Sequence, residues 1–334
     1  MFKVLIKYAA ELWLAGLFLL ASSFLGPETL FAQNPMDNAA ALITKQGLRN
    51  TVAALTSPDC KGRESGTEEI GVARRHISTT MNIYGIGKIG DSRSYGFWYW
   101  KGSERALGIN VIGMIAADSF VENPETIVIG AHYDHLGVLD GRVYPGADNN
   151  SSGVAAMLEI GKALVALRKS GLAIKQNILF VAFDAKEQNC TGSSNLLKDK
   201  VVDPSSISLM INLDQIGTTL APPKEAKTDG LLPKNYLLVL GADEKMQKLF
   251  ESCNTGEDSL ILDFSYYGNR RIYDLINGMG DQTSFRSYGI PSILVTSGIH
   301  RHTKKTTDTA DIINFNALTQ RCRFLLKVIC TLVN

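Results

Sequence analysis

The residues best suited to chemistry in this 334-residue chain are histidines and carboxylates that follow short apolar runs. The run Thr126–Ile129 leads to His132 and Asp134, and Asp148 comes shortly before an apolar pattern with helical spacing. If this run is a parallel strand, His132 lies at its carboxyl end, where ligands bind in open α/β sheets. An imidazole beside a carboxylate suits a divalent metal such as zinc. The same pair also fits a buried histidine bonded to a loop carboxylate, and both interpretations stay open here.

Three more apolar runs end in charged or metal-binding side chains in the same way. They cover residues 178–183, 209–213 and 292–296. Because the carboxyl ends of parallel strands meet at one edge of a sheet, these side chains are expected to lie near His132. The side chains concerned are Lys186, Glu187, Asp214, His300, His302 and Lys304.

The elements that must position these residues alternate along the chain. Strand-like runs alternate with helical patterns, which predicts βαβ units around a mostly parallel sheet. Predicted strands cover 109–115, 126–129, 178–183, 209–213, 237–240 and 292–296, and predicted helices cover 68–84, 152–168, 192–199, 243–253, 281–288 and 315–332.

Composition narrows the classes of partner. The chain has 34 basic and 33 acidic residues, so its net charge of +1 gives no support for nucleic acid or an anionic membrane as a partner. The five cysteines form no Cys-x-x-Cys pair, which argues against a structural zinc knot. One intramolecular disulfide stays open as an alternative to free thiols.

Residues 1–32 have the composition of an export signal. Two lysines precede an apolar stretch between Leu12 and Leu25, and a cleavage site ending in Ala32 precedes Gln33. The alternative is a membrane anchor, but the stretch is shorter than the ~20 residues that a spanning helix needs. We therefore expect a secreted or periplasmic protein with no stable membrane span after cleavage, in which 33–334 form a single domain.

Taken together, the motifs resemble peptidase family M28, the co-catalytic zinc aminopeptidases. The motifs are His-Tyr-Asp-His-Leu-Gly at 132–137, Gly-Ala-Asp-Asn at 146–149, Phe-Asp-x-x-Glu-Gln at 183–188 and Asn-Leu-Asp at 212–214. One motif alone would be weak, but the ordered set is specific, and the resemblance runs from about residue 62 to residue 315. It implies a three-layer αβα sandwich with a central mixed, mostly parallel sheet, and a peptide or protein as substrate or ligand.

The resemblance also implies roles for single residues. In that family two zinc ions share a bridging carboxylate and activate a water, and a glutamate beside one ligand acts as general base. Asp148 is then expected to bridge the metals, with His132 and Asp214 completing one zinc site and Glu187 serving the other. Asp134 is expected to orient His132 from behind.

Two positions depart from the family pattern. Lys186 stands where the family has its basic glutamate, and Lys304 stands where the family has its last zinc-binding histidine. A lysine ammonium donates hydrogen bonds and accepts none near neutral pH, so Lys304 is a poor metal ligand. A neutral Lys186 acting as base stays open as an alternative, since burial and a neighbouring zinc lower the pKa of a lysine, although the charge of Glu187 opposes this. We expect both lysines to form ion pairs with Glu187 and to replace the charge of one zinc.

That replacement leaves one zinc ion as a better expectation than two. The alternative is a two-residue shift of the loop after residue 296, which would bring His300 or His302 to the site as a replacement ligand. The shift would not restore a base at position 186.

Three functions compete on this evidence. The first is an exported zinc aminopeptidase impaired in catalysis, supported by the retained ligands and by Asp281 in a pocket-forming loop. The second is a catalytically silent module that binds a peptide, a glycan or a protein in the old cleft, supported by Lys186 and Lys304. The third, a transferase-like cyclase on the same fold, also needs the missing acidic base.

Overall fold

The computed structural model describes residues 34–221, 235–256 and 259–334. The predicted export signal at 1–32 lies outside these residues. The chain divides into two units, Met1–Asn38 and Ala39–Asn334, and all elements discussed below that bear on the site belong to the second.

An eight-stranded sheet forms the centre of the second unit, in the order β1-β2-β6-β3-β7-β10-β8-β9. Strands β6, β3, β7 and β10 run parallel to one another. The pairs β1–β2, β2–β6 and β8–β10 are antiparallel, and β9 at the far edge is parallel to β8. A separate hairpin is formed by β4 and β5. The strands are β1 Ser94–Lys101, β2 Glu104–Ile115, β3 Thr126–His132, β4 Gly137–Leu139, β5 Arg142–Tyr144, β6 Asn177–Phe183, β7 Ile207–Leu213, β8 Tyr236–Leu240, β9 Ile261–Asp263 and β10 Ser292–Thr296.

Helices cover both faces of this sheet. On one face α4 packs on β3 and contacts α2, α3 and α9, while α5 and α8 pack together over the other face. The helices are α1 Pro35–Leu42, α2 Lys45–Leu55, α3 Ile70–Tyr84, α4 Gly153–Lys169, α5 Thr191–Lys198, α6 Glu244–Cys253, α7 Arg270–Asn277, α8 Gln282–Arg286 and α9 Phe315–Val333.

The apolar runs explain this layering. Every residue of β3 is buried, as expected for a central parallel strand with a helix layer on each face. On the α5 and α8 side, Phe183 meets Phe285 edge to ring, with ring centres 6.1 Å apart. Each such side chain removed from water contributes about 1.5–3 kcal/mol. The predicted three-layer αβα sandwich with a mixed, mostly parallel sheet is therefore confirmed.

Strand register brings the predicted polar residues to one edge. His132 at the end of β3 is paired with Phe183 at the end of β6. On the other side of β3, Gly130 is paired with Asn212 of β7. The segments that follow β3, β6, β7 and β10 therefore start from the same edge of the sheet, which is where ligands bind in folds of this kind.

Two predictions about the rest of the chain can be compared with the structure. All five cysteines are free thiols. Within the described ranges, no helix combines the length and the apolar character needed to cross a bilayer.

Candidate functional site

His132 and Asp214 form one half of the site. The His132 ring is held by the backbone carbonyl of Asp134, 3.0 Å from Nδ1. Its other nitrogen, Nε2, lies 3.5 Å from Oδ1 of Asp214, close enough for charge attraction but without hydrogen-bond geometry. Burial and the charge of Lys186 oppose protonation of His132. The Asp214 carboxylate outweighs them, and the pKa of His132 is raised to about 9.

Asp134 lies behind both halves of the site. Its two carboxylate oxygens accept the backbone N–H groups of Lys186 and Glu187, each at 3.0 Å. Oδ1 also lies 3.7 Å from Nδ1 of His132. Asp134 thus fixes the loop after β6 with its side chain and the imidazole with its backbone.

Glu187 lies between two lysines. Oε1 accepts from Nζ of Lys186 at 3.0 Å, and Oε2 accepts from Nζ of Lys304 at 2.7 Å. The expected ion pairs are therefore present. They join the loop after β6 to the loop after β10, and the carboxylate that the family resemblance assigns to zinc has a cation on each oxygen.

These contacts fix the charge states of the group. Burial alone would lower the pKa of Lys186, but the negative charges of Asp214 and Glu187 outweigh it and raise that pKa above its ordinary value. Burial would raise the pKa of Glu187, yet Lys186 and the neighbouring cations hold it well below its usual range. Lys186 is therefore an ammonium and Glu187 a carboxylate at neutral pH, so position 186 offers no base.

Asp148 is not brought to this group. Oδ1 accepts from Ser152 at 2.9 Å and from the backbone N–H of Gly217 at 2.7 Å, and Oδ2 lies 2.9 Å from Nε2 of His300. In the part of the chain that the structure describes, no hydrogen bond or ion pair joins Asp148 to His132. Both carboxylate oxygens are used in tying together three loops.

The two histidines of the loop after β10 also lie elsewhere. His300 is bonded to Asp148, and Nδ1 of His302 lies 2.9 Å from the hydroxyl of Thr307. Neither histidine makes a hydrogen bond or an ion pair with Glu187 in the described ranges. Lys304 occupies that position instead.

Asn149 belongs to the site and was missed by the sequence analysis. Its backbone is non-helical (φ −105°, ψ 87°) inside an irregular turn, and successive side chains of an extended backbone point in opposite directions. Asp148 therefore faces the loops, while Asn149 lines a cavity of about 170 Å³ together with Lys186 and Asp214. The remaining wall of this cavity includes Gln215, Ile276, Met279, Leu294, Thr296, Ile299, Thr303 and Lys304.

Asp281 is buried close to His132 and Lys186, whose charges act on its carboxyl group, and it is not among the described residues that line the cavity. Ser193 donates to Oδ1 at 2.7 Å, and Oδ2 is buried without a hydrogen bond to any described residue. Burial raises the pKa of Asp281 to about 6.

The donor set does not fit a two-zinc centre. Among the described residues, no three His, Cys, Asp or Glu side chains are arranged to hold a metal ion. Glu187 is neutralised by lysines and Asp148 is saturated. Of the four ligands that the family resemblance implies, only His132 and Asp214 therefore keep an atom, Nε2 and Oδ1, without a hydrogen-bond partner among the described residues. Catalytic zinc sites use three protein ligands, and two are not enough.

The fold places the chain among zinc aminopeptidase structures. It superposes on BSAP, a zinc aminopeptidase from Bacillus subtilis, with a TM-score of 0.63 and 15% identity, over 87% of this chain and 95% of that one. At this identity the likeness concerns the fold alone.

Sequence comparison gives the family. The model of Peptidase family M28 matches residues 110–329, and the chain belongs to this family, whose zinc metallopeptidases imply zinc as the metal. A relative from Arthroderma otae named "Probable leucine aminopeptidase" is 27% identical over 297 residues, covering 86% of this chain and 72% of that protein. The BOS complex subunit ncln of Danio rerio is 29% identical over 168 residues, covering 45% of this chain and only 29% of that protein.

Proposed function

We propose that this protein is an M28 relative impaired in catalysis, which binds a peptide or protein in the former active site. One observation carries the proposal: Glu187 has a lysine ammonium on each carboxylate oxygen, at 3.0 and 2.7 Å. The two positive charges stand in for a metal ion, and the base that would activate a water is replaced by one of them.

The size of the expected defect follows from the missing base. General acid–base catalysis contributes about 10²–10⁴-fold to rate, and loss of a metal ion removes more. A binding function is supported by the cavity beside Asn149 and Asp214, which has an apolar wall. That the relative from Danio rerio is named as a subunit of a complex, and not as a peptidase, supports a role in binding for a member of this fold family.

For the metal itself we propose at most one zinc ion. Nε2 of His132 and Oδ1 of Asp214 are the free donors that would hold it. Because two protein donors bind zinc weakly, we expect the ion to be lost on dialysis against a chelator.

A second candidate is a slow aminopeptidase. The relative from Arthroderma otae, which covers 86% of this chain and is named as an aminopeptidase, favours it. His132, Glu187 and Asp214 are retained from the family pattern, so binding of zinc in competition with the lysines would restore part of the site.

Hydrolysis of L-leucine 4-nitroanilide in the presence of zinc distinguishes the binding function from the slow aminopeptidase. We expect no turnover by the wild-type protein, and measurable turnover by the variant Asn149→Asp/Lys186→Glu/Lys304→His, which supplies the missing donors and base. Chelator-sensitive turnover by the wild-type protein would reject the silent function and support the slow aminopeptidase.

We also propose that the protein is exported. The basic start, the apolar stretch between Leu12 and Leu25 and the site ending in Ala32 support this. N-terminal sequencing of the protein recovered from its native source tests it, and a mature chain that begins near Gln33 is expected. An intact N-terminus on the cytosolic side of the membrane would contradict it.

A further inference from the structure

Besides Oδ2 of Asp281, four buried polar atoms at the site have no hydrogen-bond partner in the described ranges. They are Nε2 of His132, Oδ1 of Asp214, and both Oδ1 and Nδ2 of Asn149. The great majority of buried polar groups in folded proteins are hydrogen-bonded, so such a cluster needs an explanation. Asn149 is the most informative member, because its amide presents one unused acceptor and one unused donor group side by side.

These atoms adjoin a partly apolar cavity. Asn149 and Asp214 line it at one end, and Ile276, Met279, Leu294 and Ile299 contribute its apolar wall. Pockets of this kind, mostly apolar with a few converging polar groups, are typical ligand sites. The apolar wall suits an aliphatic side chain, and the polar end suits the polar part of the ligand to which that side chain is attached.

The charges around the polar end already balance. Lys186 and Lys304 line the cavity as cations, and Asp214 lines it as an anion. Glu187 is bonded to both lysines, and the protonated ring of His132 lies between Asp214 and Asp134, at 3.5 and 3.7 Å, so three positive and three negative side chains are paired with one another. A ligand with a net charge would bring an unmatched charge into this nearly buried place, and burying an unmatched charge is costly.

An uncharged amide both supplies partners for the unpaired polar atoms and adds no charge. Its C=O accepts from Nδ2 of Asn149 and its N–H donates to Oδ1 of Asn149 or of Asp214, so the unused atoms are paired without adding charge. Resting on the proposed binding function, we propose that the cavity binds an aliphatic amino-acid residue flanked by two amides. An acylated or internal peptide residue has this chemistry, whereas the free amino terminus that an aminopeptidase needs does not.

Three ligands that share the leucine side chain test the inference: N-acetyl-L-leucinamide (neutral), L-leucinamide (cationic) and N-acetyl-L-leucine (anionic). Affinities are measured by calorimetry at pH 7.0 with a chelator present. We expect the neutral ligand to bind at least tenfold more tightly than either charged one. Equal or tighter binding of a charged ligand, or no binding of any of the three, overturns the proposal.

Substitutions at the cavity give a second test. Asn149→Leu is expected to lose at least tenfold in affinity for the neutral ligand, and Asn149→Asp is expected to shift the preference towards L-leucinamide. Asn316→Leu, at an exposed position of α9, is the control and is expected to change no affinity. If Asn149→Leu does not fold, Met279→Trp is tested in its place. Because Met279 is 46% exposed, a larger side chain is tolerated at this position, and it fills the cavity from the apolar wall. Unchanged binding of the neutral ligand by the folded variant rejects the site.

The anilide assay keeps the two claims distinguishable. Turnover of L-leucine 4-nitroanilide rejects the proposed function, whatever the order of affinities. Absence of turnover together with preference for a charged ligand rejects the present inference alone.

Discussion

Nζ of Lys304 lies 2.7 Å from Oε2 of Glu187, and Nζ of Lys186 lies 3.0 Å from the other oxygen of the same carboxylate. The Glu187 and Lys186 side chains are 9% and 10% exposed, whereas Lys304 is 43% exposed. The nearly buried carboxylate of Glu187 thus compensates the charge of the nearly buried Lys186 ammonium. Removing one partner of such a group leaves an uncompensated charge, which costs more than the pair itself contributes.

Glu187→Gln is therefore expected to lower the free energy of unfolding by about 2–3 kcal/mol, at the low end for buried pairs because Lys304 is partly in water. Urea denaturation at pH 7 measures the change. Glu244→Gln is the matched control, since Glu244 forms an exposed pair with Lys248 at 2.6 Å and is expected to change stability by less than about 0.5 kcal/mol. Equal effects of the two substitutions would show that the Glu187 pair is not structurally important.

Asp148 is expected to act in folding and not in metal binding. Asp148→Asn turns an N–H group towards one of the donors that now meet a carboxylate, and leaving a buried donor unpaired costs about 1–3 kcal/mol. Denaturation and zinc content are measured on the same sample. Asp243→Asn is the control, because Asp243 caps α6 by accepting from Met246 at 2.7 Å and Asn caps equally well. Unchanged stability with loss of bound zinc would instead identify Asp148 as a ligand.

The stability of the fold is expected to depend on pH through Asp281. Its pKa is about 6 in the folded protein, raised by burial from the ordinary value of 3.8. Between these values the folded state holds a proton that the unfolded state has released, so this group lowers stability as pH rises from about 4 to about 6. The loss is of the order of 3 kcal/mol at pH 7, at 1.36 kcal/mol per pKa unit.

Asp281→Asn removes this loss, because its amide stays neutral at every pH. The variant is expected to be as stable as the wild-type protein near pH 4 and more stable at pH 7, by up to about 3 kcal/mol. Urea titrations of both proteins at pH 4, 5, 6 and 7 give the difference. A difference that does not change with pH would mean that the Asp281 carboxyl titrates normally.

The central strands could be predicted because strands that are buried on both faces appear in the sequence as nearly continuous apolar runs. All six predicted strands are present, and Thr126–His132 is buried throughout. Strand Ser94–Lys101 was missed because both of its faces carry aromatics: Phe97 and Tyr99 are buried, while Trp98 and Trp100 are exposed. Hydropathy does not show the two-residue period of such a strand. Helix Arg270–Asn277 was missed because Ile276 is its one buried residue.

At the site, sequence reasoning succeeded where position depends on strand ends. His132 ends strand β3, Glu187 and Asp214 come after its two neighbours β6 and β7, and the expected lysine pairs of Glu187 are present. It assigned Asp148 to the site and overlooked Asn149, because which of the two faces the cavity depends on the backbone of an irregular turn. No periodic pattern shows which of two successive side chains in such a turn faces the cavity.

Metal content is the most direct test of the claim that lysines have taken the place of a metal ion. Mass spectrometry after equilibration with zinc and dialysis compares the wild-type protein with Asn149→Asp/Lys186→Glu/Lys304→His. Lys45→Glu/Lys88→His, at two exposed positions, controls for the charge change of the two lysine substitutions. We predict at most one zinc per wild-type and control chain, and about two in the triple variant. Two zinc ions per wild-type chain would contradict the account.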